Sequence, residues 1–360
     1  MISTVWSSKT AIGTMARKVE IWGVYPPPIG GISVYCKRLS EILHDIDPSV
    51  MLINFASSRS GCASVRDVRF KPWEFIRLLF VKRRIIHVQL RNVWFLTMLY
   101  LTGWRHDIVI TIHNRKMLLQ EGWRGRMMRR FLSRTRAIIY NDPEFTGLLV
   151  DKFGIDERLV TVLPTFIPPS DSERRGVPSD IDEFCKKHRY NISTNASNIY
   201  RNVWGDVYGF DQIIDMMDNL VNQQHMDVGL VFMLSEITDR DYYAQCMDRI
   251  ASLGLTDRFL MVLGSDANGF EVWERTDLFV RATLSDMEGI SVKEALQFGT
   301  PVVASDVCTR PSEAVLYRKG DASDLALKCM ETLNAGARVE YHPQTDVPTR
   351  IMEIYDSIRG

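Results

Sequence analysis

Two blocks of alternating strand and helix patterns, separated by a proline-rich stretch, limit this chain to few folds. In the first block, apolar runs at residues 19–24, 50–55 and 108–112 alternate with segments whose apolar residues recur at helical spacing. Alternation of the same kind occupies residues 210–304. It is typical of a mainly parallel, doubly wound sheet. Because 360 residues exceed one ordinary core, the pattern predicts two α/β domains.

A change of composition marks the boundary between the two blocks. Four prolines lie among Ser, Asp, Glu and Arg in residues 164–195, which is typical of a connection between domains. We expect an N-terminal Rossmann-like domain over residues 1–168, a linker over 169–195 and a C-terminal Rossmann-like domain over 196–345. Residues 346–360 are expected to form a helix that packs back on the N-terminal domain.

The net charge of the chain is zero, but its two halves carry opposite charges. Residues 1–170 contain 25 Lys and Arg against 13 Asp and Glu, whereas the remainder contains 19 against 31. This asymmetry indicates separate domains with separate partners. The basic half suits an anionic lipid, a nucleic acid or a phosphorylated acceptor.

Cysteine usage and hydropathy indicate the compartment. The six cysteines are scattered, and no two have CxxC spacing, which argues against a zinc site or a disulfide framework and for a reducing compartment. Residues 1–17 lack the apolar stretch of a signal peptide. No segment reaches the roughly 20 apolar residues of a membrane-spanning helix. We therefore expect a cytoplasmic protein.

The most informative segment is residues 277–306, in which a strand leads through a loop into a helix beginning near Ile290. Ligands of doubly wound sheets bind at the carboxyl ends of strands, where such loops lie. The backbone amides of Ile290, Ser291 and Val292 are expected to point out of the helix N-terminus and to form a phosphate cradle. Gly289 would allow a ligand to approach the backbone closely.

Two acidic residues flank this helix start. Asp286 precedes it in the loop, and Glu294, eight positions later, lies about one turn into the helix. Carboxylates are strong paired acceptors for sugar hydroxyls, so both are candidates for one ligand-binding cleft. The other interpretation is an acidic cluster that complements the helix dipole.

The spacing of Asp286 and Glu294, followed by Ala-x3-Gly-x-Pro-Val-Val-Ala-Ser, resembles the donor-binding segment of retaining GT-B glycosyltransferases of family 4. It is closest to a bacterial subgroup for polysaccharide and O-antigen assembly. The resemblance implies two Rossmann-like domains that face each other across a donor-binding cleft, the N-terminal one on the acceptor side and the C-terminal one binding the nucleotide sugar. It implies that Glu294 holds the ribose and that Asp286, with Glu288 and Gly289, lies on the donor-sugar side.

The same resemblance extends to residues outside the acidic segment. It implies that the Gly30–Gly31 turn and Arg201 approach the donor diphosphate, and that His113 lies at the sugar's edge of the catalytic cleft. The family's Lys-Gly pair after the arginine is Tyr208-Gly209 here, so one expected cation is missing, and Lys293 is a candidate substitute. A purely structural interpretation is open for each position. Gly30–Gly31 would then be a tight turn, Arg201 a surface salt-bridge residue and His113 a structural histidine.

A metal site of the DxD kind is not expected. Asp180-Ile-Asp182 and Asp239-Arg-Asp241 precede helical runs instead of following strands, so they are interpreted as helix-starting caps. We therefore expect no essential metal and no cofactor besides the nucleotide sugar.

Residues 124–136 combine arginines with Met and Phe and predict a basic amphipathic helix. Its arginines are Arg124, Arg126, Arg129, Arg130, Arg134 and Arg136. Such helices bind anionic membrane surfaces, and we expect peripheral contact with the inner membrane face. A solvated helix face is the alternative interpretation. No recognised nucleic-acid motif accompanies the charge, so no nucleic-acid partner is expected.

These features predict an enzyme that moves a sugar from a nucleotide-diphosphate donor to a hydroxyl of a glycan or lipid-linked acceptor, with the retention that the resemblance implies. The missing lysine supports one alternative, a catalytically silent nucleotide-sugar-binding or scaffold protein of a glycan-assembly complex. A GT-B epimerase or phosphorylase is a third hypothesis.

Overall fold

The structure is a computed structural model that describes residues 17–27, 30–90, 92–113, 118–141, 146–170, 173–174, 176–203, 205–264, 269–286, 289–343 and 346–360. The chain divides into two compact units. The first unit consists of Leu39–Val162, Pro348–Gly360 and the described residues up to Val24. The second consists of Tyr25–Arg38 and Leu163–Val347.

The first unit is built on a seven-stranded parallel sheet. Its strands are β1 Val19–Gly23, β2 Val50–Asn54, β3 Val65–Asp67, β4 Ile85–Val88, β5 Asp107–Ile112, β6 Thr135–Tyr140 and β7 Val160–Val162. The strand order is β3-β2-β1-β4-β5-β6-β7, and the order reverses between β1 and β4. The central strands are buried along their whole length, as expected for a parallel sheet covered on both faces.

Helices connect these strands and cover the sheet. They are α1 Gly31–Ile46, α2 Lys71–Leu78, α3 Val93–Thr102, α4 Gly122–Leu132 and α5 Thr146–Phe153, with a 3₁₀ turn at Glu157–Leu159. The crossovers containing α2, α3 and α4 all advance in the same direction along the sheet. Because such crossovers are right-handed, these three helices lie on one face of the sheet. α3 packs between α2 and α4.

The second unit repeats this plan on a six-stranded parallel sheet. Its strands are β8 Tyr190–Ala196, β11 Val228–Leu234, β12 Phe259–Leu263, β13 Leu278–Arg281, β14 Val302–Ser305 and β15 Val315–Tyr317. Their order is β12-β11-β8-β13-β14-β15, so the reversal lies between β8 and β13. A separate two-stranded antiparallel hairpin pairs β9 Arg201–Asn202 with β10 Gly205–Asp206. The predicted fold class, two doubly wound α/β domains, is confirmed.

The helices of the second half of the chain complete the fold. They are α6 Ser179–Cys185, α7 Phe210–Asp218, α8 Arg240–Ser252, α9 Gly269–Arg275, α10 Ile290–Gln297, α11 Ala322–Ala335 and α12 Val347–Arg359. A π-helical turn at Asn219–Gln223 extends α7, and a 3₁₀ turn at Thr256–Arg258 precedes β12. Asp239 caps α8 by accepting a hydrogen bond from the amide of Tyr242, as its sequence context predicts.

The C-terminal helix α12 belongs to the first unit for nearly its whole length. The hydroxyl of its fully buried Tyr355 lies 2.5 Å from Nδ1 of His87 on β4. Arg359 forms an ion pair of 2.7 Å with Asp47. Strand β1 and nearly all of α12 therefore belong to the same unit.

The predicted linker over residues 169–195 is wrong for its second half. Residues 179–185 form α6, and residues 190–195 form most of β8, a central strand of the second sheet. β8 lacks the apolar pattern of a buried strand because it contains several polar residues. Their side chains form hydrogen bonds inside the protein. Asn191 donates to the carbonyl of Cys185 at 3.0 Å, and the hydroxyl of Ser193 lies 2.8 Å from that of Thr276.

Among the described residues, no helix combines the length and the apolar character needed to cross a membrane. All six cysteines are free thiols.

Candidate functional site

The carboxyl ends of β8 and β13 meet where the strand order of the second sheet reverses, the usual ligand position in this architecture. Arg281, the last residue of β13, joins the two strand ends. Its Nη1 donates to the backbone carbonyl of Asn195 at 3.0 Å and to the side-chain oxygen of Asn195 at 2.9 Å. The loop that follows leads to α10, so the predicted segment lies at the expected edge of the sheet.

Asp286 lies in this loop between two arginines. Its Oδ2 is 3.1 Å from Nε of Arg281 and 3.1 Å from Nη1 of Arg310. The side chain of Arg310 is completely buried. Burial acts to raise the pKa of Asp286, but the two guanidinium groups outweigh it and lower the pKa to about 2. The group of one carboxylate and two guanidiniums carries a net positive charge.

Gly289 begins α10 in a conformation that other residues rarely adopt, with φ of 62°. A Cβ at this position would lie 2.1 Å from Nη1 of Arg310 and 3.2 Å from Oδ2 of Asp286. The glycine is thus needed both for its backbone conformation and for the close approach of Arg310. The helix start and the charged group consequently form one local arrangement.

The first amides of α10 follow directly. The amide of Val292 donates to the carbonyl of Gly289 at 2.8 Å, so it is engaged within the helix. The amides of Ile290 and Ser291 precede the first intrahelical bond, and amides in these positions point out of a helix N-terminus. The predicted cradle of three amides is therefore reduced to these two. Lys293 has its Nζ 5.9 Å from the ring centroid of Phe166.

Glu294, one turn into α10, is a buried partner of Arg38. Nη1 of Arg38 lies 2.6 Å from its Oε1, while Nε of Arg38 lies 3.0 Å from Glu173. Burial opposes a charge on Arg38, but Glu294 and Glu173 outweigh it and raise the pKa of the guanidinium. Burial raises the pKa of the Glu294 carboxyl against the opposing effect of Arg38.

The Gly30–Gly31 turn contacts the same helix. A Cβ on Gly31 would lie 3.3 Å from Cδ1 of Ile290, and a Cβ on Gly30 would meet nothing within 4 Å. The amide of Gly30 donates to Oγ of Ser33 at 3.0 Å, which fixes the turn at the start of α1. The two glycines and the start of α10 are therefore neighbours, although more than 250 residues separate them in the sequence.

Comparison with known families identifies both halves of the chain. Residues 29–171 match the model described as Glycosyltransferase Family 4, and residues 199–320 match the model of Glycosyl transferases group 1. The chain is a glycosyltransferase with the GT-B fold. No curated protein sequence matches this glycosyltransferase significantly.

Solved structures share the fold of this glycosyltransferase at low sequence identity. A glycosyltransferase from Rickettsia africae is 13% identical with a TM-score of 0.66, and the match covers 95% of this chain and 93% of that one. HepE from Anabaena, solved with UDP and glucose, is 15% identical with a TM-score of 0.65 over 95% and 98% of the two chains. The α,α-trehalose-phosphate synthase from Burkholderia xenovorans, solved with glucose-6-phosphate, is 12% identical with a TM-score of 0.67 over 95% and 99%.

Arg201 of the glycosyltransferase lies in the β9–β10 hairpin and is about half exposed. Its Nε is 3.4 Å from Oδ2 of Asp239, and its guanidinium lies 4.4 Å from the ring centroid of Tyr242. Within the described part of the chain, Asp286 and Glu294 are not among its contacts.

His113 follows β5 in the first unit and takes part in a buried hydrogen-bond chain. Its Nε2 lies 2.6 Å from Oε1 of Gln89, whose Nε2 lies 3.0 Å from Nε2 of His87. Complete burial, with a smaller effect of His113, lowers the pKa of His87 to about 3, so His87 is neutral. Nε2 of His87 also lies 2.7 Å from the hydroxyl of Thr111, so the tautomer of the neutral His87 sets the direction of the hydrogen bonds along this chain.

Glu288, predicted on the donor-sugar side, and Met287 lie outside the described residues. Sequence reasoning missed Arg281, Arg38 and Gln89, and assigned Arg310 no definite role. No sequence signal marked Arg38, because the apolar residues of α1 recur at Ile32, Tyr35, Leu39 and Leu43, and position 38 falls outside this period.

Proposed function

We propose that this glycosyltransferase moves a sugar from a nucleotide-diphosphate donor to a hydroxyl of a glycan or lipid-linked oligosaccharide, with retention and without a metal ion. The observation that carries the proposal is the arrangement of Asp286, Arg281 and Arg310 beside Gly289 and the start of α10. It combines net positive charge with outward-pointing helix amides. Both are suited to a diphosphate at the reversal point of the sheet.

The diphosphate requires this charge because it is the leaving group. Negative charge builds on it as the bond to the anomeric carbon breaks, and an oxocarbenium-like sugar forms. Fixed donors that stabilise such charge usually make the largest single contribution to catalysis. We assign this role to the amides of Ile290 and Ser291 and to the guanidinium of Arg281, with the Gly30–Gly31 turn close by. Lys293 is a further cation on the same helix.

Arg281 is our candidate for the missing lysine. Its guanidinium lies 5.3 Å from the ring centroid of Tyr208, the residue that stands where the resemblance expects Lys. Stacking on Tyr208 and the two bonds to Asn195 hold the guanidinium at the strand ends. A cation supplied from β13 thus replaces one supplied from the start of α7. Arg201 remains a proposed diphosphate contact through the resemblance alone.

Glu294 is assigned to the ribose. Arg38 engages its Oε1, so we propose that Oε2 accepts the ribose hydroxyls. Asp286, Glu288 and Gly289 are assigned to the donor-sugar side, and His113 to the edge of the sugar. We name no protein nucleophile, and the departing phosphate is proposed to take the proton of the acceptor hydroxyl.

The substrates are proposed from the relatives and from the charge of the chain. HepE was solved with UDP and glucose, and the trehalose-phosphate synthase with a sugar phosphate, so UDP-sugars are the first donors to test. The basic N-terminal half suits a lipid-diphosphate-linked acceptor of polysaccharide or lipopolysaccharide assembly. Contact of the arginine-rich helix, residues 124–136, with the anionic inner membrane face is part of this proposal.

Two observations favour a second candidate function, a silent nucleotide-sugar-binding or scaffold protein. Tyr208 replaces the expected lysine, and Arg201 is engaged by Asp239. Incubation with labelled UDP-sugars and a lipid-linked acceptor separates the two functions. Binding without transfer or hydrolysis would favour the silent protein, whereas a product with the donor's anomeric configuration, formed equally well in EDTA, supports the enzyme.

Substitution of Arg281 tests the proposed role of this residue. Arg281→Ala should lower kcat about 100-fold, the usual effect of removing one fixed donor to a developing anion. Adding Tyr208→Lys, which restores a cation at the family position, should recover at least about tenfold of that loss. Turnover is measured with the donor that stabilises the wild type most.

The matched control is Arg258→Ala, which removes the exposed ion pair with Asp227 in the same unit. It should leave kcat unchanged, because exposed ion pairs contribute little to stability. Wild-type kcat in Arg281→Ala, or a double variant no better than the single one, would remove Arg281 from the diphosphate site.

A further inference from the structure

The outer surface of α3 is apolar although solvent surrounds it. This helix contains no charged residue in its ten positions. Leu96 and Leu99 are buried toward the sheet, while Trp94, Met98 and Leu101 are 64%, 43% and 60% exposed. The three exposed residues follow the i, i+4, i+7 spacing of one helix face. An apolar stripe of this kind requires a partner other than water.

The neighbouring segments extend the stripe on both sides. On and just after α2, Trp73, Ile76 and Phe80 repeat the helical spacing and are exposed. The rings of Trp94 and Trp123, the latter on α4, lie 5.0 Å apart, which joins α3 to α4. Of the six tryptophans in the described residues, four are exposed. Trp73, Trp94 and Trp123 lie on α2, α3 and α4, and Trp104 lies in the turn that follows α3. We call this surface the aromatic–basic face.

The charge of the same segment is strongly one-sided. Residues 70–136 contain 15 Lys and Arg but only three Asp and Glu. They therefore account for the entire excess of twelve positive charges in residues 1–170. Two of the three acids, Glu74 and Asp107, are buried and paired with arginines, which leaves Glu121 as the exposed one. Arg126, Arg129 and Arg130 are exposed on α4.

We propose that the aromatic–basic face is a membrane-insertion surface. Its tryptophans and aliphatic side chains enter the interfacial region of an anionic phospholipid bilayer, and its arginines bind the headgroups. The proposal goes beyond the single basic helix of residues 124–136, since α2 and α3 supply the apolar part. It also does not depend on sugar transfer, because a silent protein would bind the same bilayer.

A bilayer fits the composition of the face better than a second copy of the chain does. Tryptophan is enriched where one end of a side chain is apolar and the other wet, as at a membrane interface. Two copies that met through this face would oppose two clusters of like charge. Anionic headgroups instead neutralise the cluster, and each Lys or Arg adds about 1 kcal/mol of binding near the surface.

The test uses the full chain and vesicles of phosphatidylglycerol and phosphatidylcholine, with pure phosphatidylcholine for comparison. We expect co-sedimentation with the anionic vesicles, and quenching of tryptophan fluorescence by lipids brominated near the headgroup. Buried Trp22 and Trp273 should remain unquenched. Arg126→Glu with Arg130→Glu should weaken partitioning by about 30-fold or more, the effect of losing two headgroup contacts. Trp94→Ser with Leu101→Ser should weaken partitioning and reduce the quenching of the remaining tryptophans of the face.

Matched controls lie on the second unit. Lys187→Glu with Arg240→Glu reverses two exposed charges, and Leu327→Ser removes an exposed apolar side chain, so both should bind like the wild type. Circular dichroism melts verify that every variant is folded. Absence of binding to anionic vesicles, or equal loss in the control variants, would overturn the proposal. A concentration-dependent dimer that Trp94→Ser disrupts, without vesicle binding, would instead assign the face to self-association.

Discussion

Arg38 holds two carboxylates at once, and only one of them is assigned to the donor. It pairs with Glu294 on α10 and with Glu173, and its side chain is only 4% exposed. This shared partner offers a way to separate a binding role from a structural one. A residue that contacts only protein groups should matter for stability, whereas a residue that also contacts the nucleotide should matter for affinity.

Glu294→Gln should therefore weaken donor binding about 10- to 100-fold, the effect of losing a hydrogen bond to a charged group. The measurement is the thermal shift produced by a panel of nucleoside diphosphates and nucleotide sugars, since a ligand that binds only the native state stabilises it. Glu173→Gln is the control. It should lower the melting temperature of the free protein but preserve the ligand-induced shift. Equal shifts in the wild type and Glu294→Gln would remove Glu294 from the site.

The lowered pKa of Asp286 leads to a second prediction at the residue scale, which concerns the pH dependence of stability. Its pKa is about 2 in the folded protein, below the ordinary value of 3.8. Its contribution to stability is thus present above pH 4 and is lost as the pH falls toward 2, by about 2 kcal/mol in total. Urea unfolding of wild type and Asp286→Asn should show a gap in free energy that narrows between pH 5 and pH 2. Asp248→Asn, at an exposed acid of the same unit, is the control, and a constant gap would contradict the ion-pair account.

At the level of elements, the junction between β13 and α10 depends on one glycine. Gly289 has a positive φ, and Arg310 occupies the space of a Cβ. Gly254, just after α8, also has a positive φ, but nothing lies within 4 Å of a Cβ there. Comparing substitutions at these two glycines separates the cost of the backbone conformation from the cost of displacing Arg310.

Gly254→Ala should cost about 1 kcal/mol from the backbone conformation alone. Gly289→Ala should cost clearly more and should also abolish the donor-induced thermal shift, because Arg310 must leave its place beside Asp286. Both are measured by urea unfolding, with and without the best donor. Equal costs in the two variants would show that the approach of Arg310 to the backbone is unimportant.

The elements also show what the sequence could and could not predict. Strands with continuous apolar runs, such as β2 and β5, were predicted with nearly correct bounds, since burial on both faces requires such runs. β8 was missed because Asn191 and Ser193 are polar in a buried strand, and only tertiary hydrogen bonds explain them. The short strands β3 and β15, of three residues each, carry too little pattern to be recognised.

The residues of the candidate site also divide into those that the sequence could predict and those that it could not. Asp286, Gly289 and Glu294 share one contiguous segment, so sequence spacing was enough to propose them. Arg281 could not be recognised as a site residue from the sequence. Its role depends on the adjacency of β8 and β13, which are more than 80 residues apart in the sequence. Arg38 likewise acts across a sequence separation of more than 250 residues.

At the scale of the whole molecule, the chain consists of two units of opposite charge, and the first six strands of the larger sheet follow the same order as the six strands of the other. The first unit carries the aromatic–basic face, and the second carries the Arg281–Asp286–Arg310 group and the start of α10. The charge division seen in the sequence thus coincides with a division of proposed roles. Membrane binding and donor binding are expected to be separable by substitutions in one unit or the other.

A structure of the protein with the nucleoside diphosphate that stabilises it most would test the central claim directly. We predict phosphate oxygens at about 3 Å from the amide nitrogens of Ile290 and Ser291, within ordinary hydrogen-bond distance, and an ion pair with Arg281. The ribose hydroxyls should donate hydrogen bonds to the carboxylate of Glu294. A diphosphate bound elsewhere, with the start of α10 and Arg281 contacting only protein, would contradict the account.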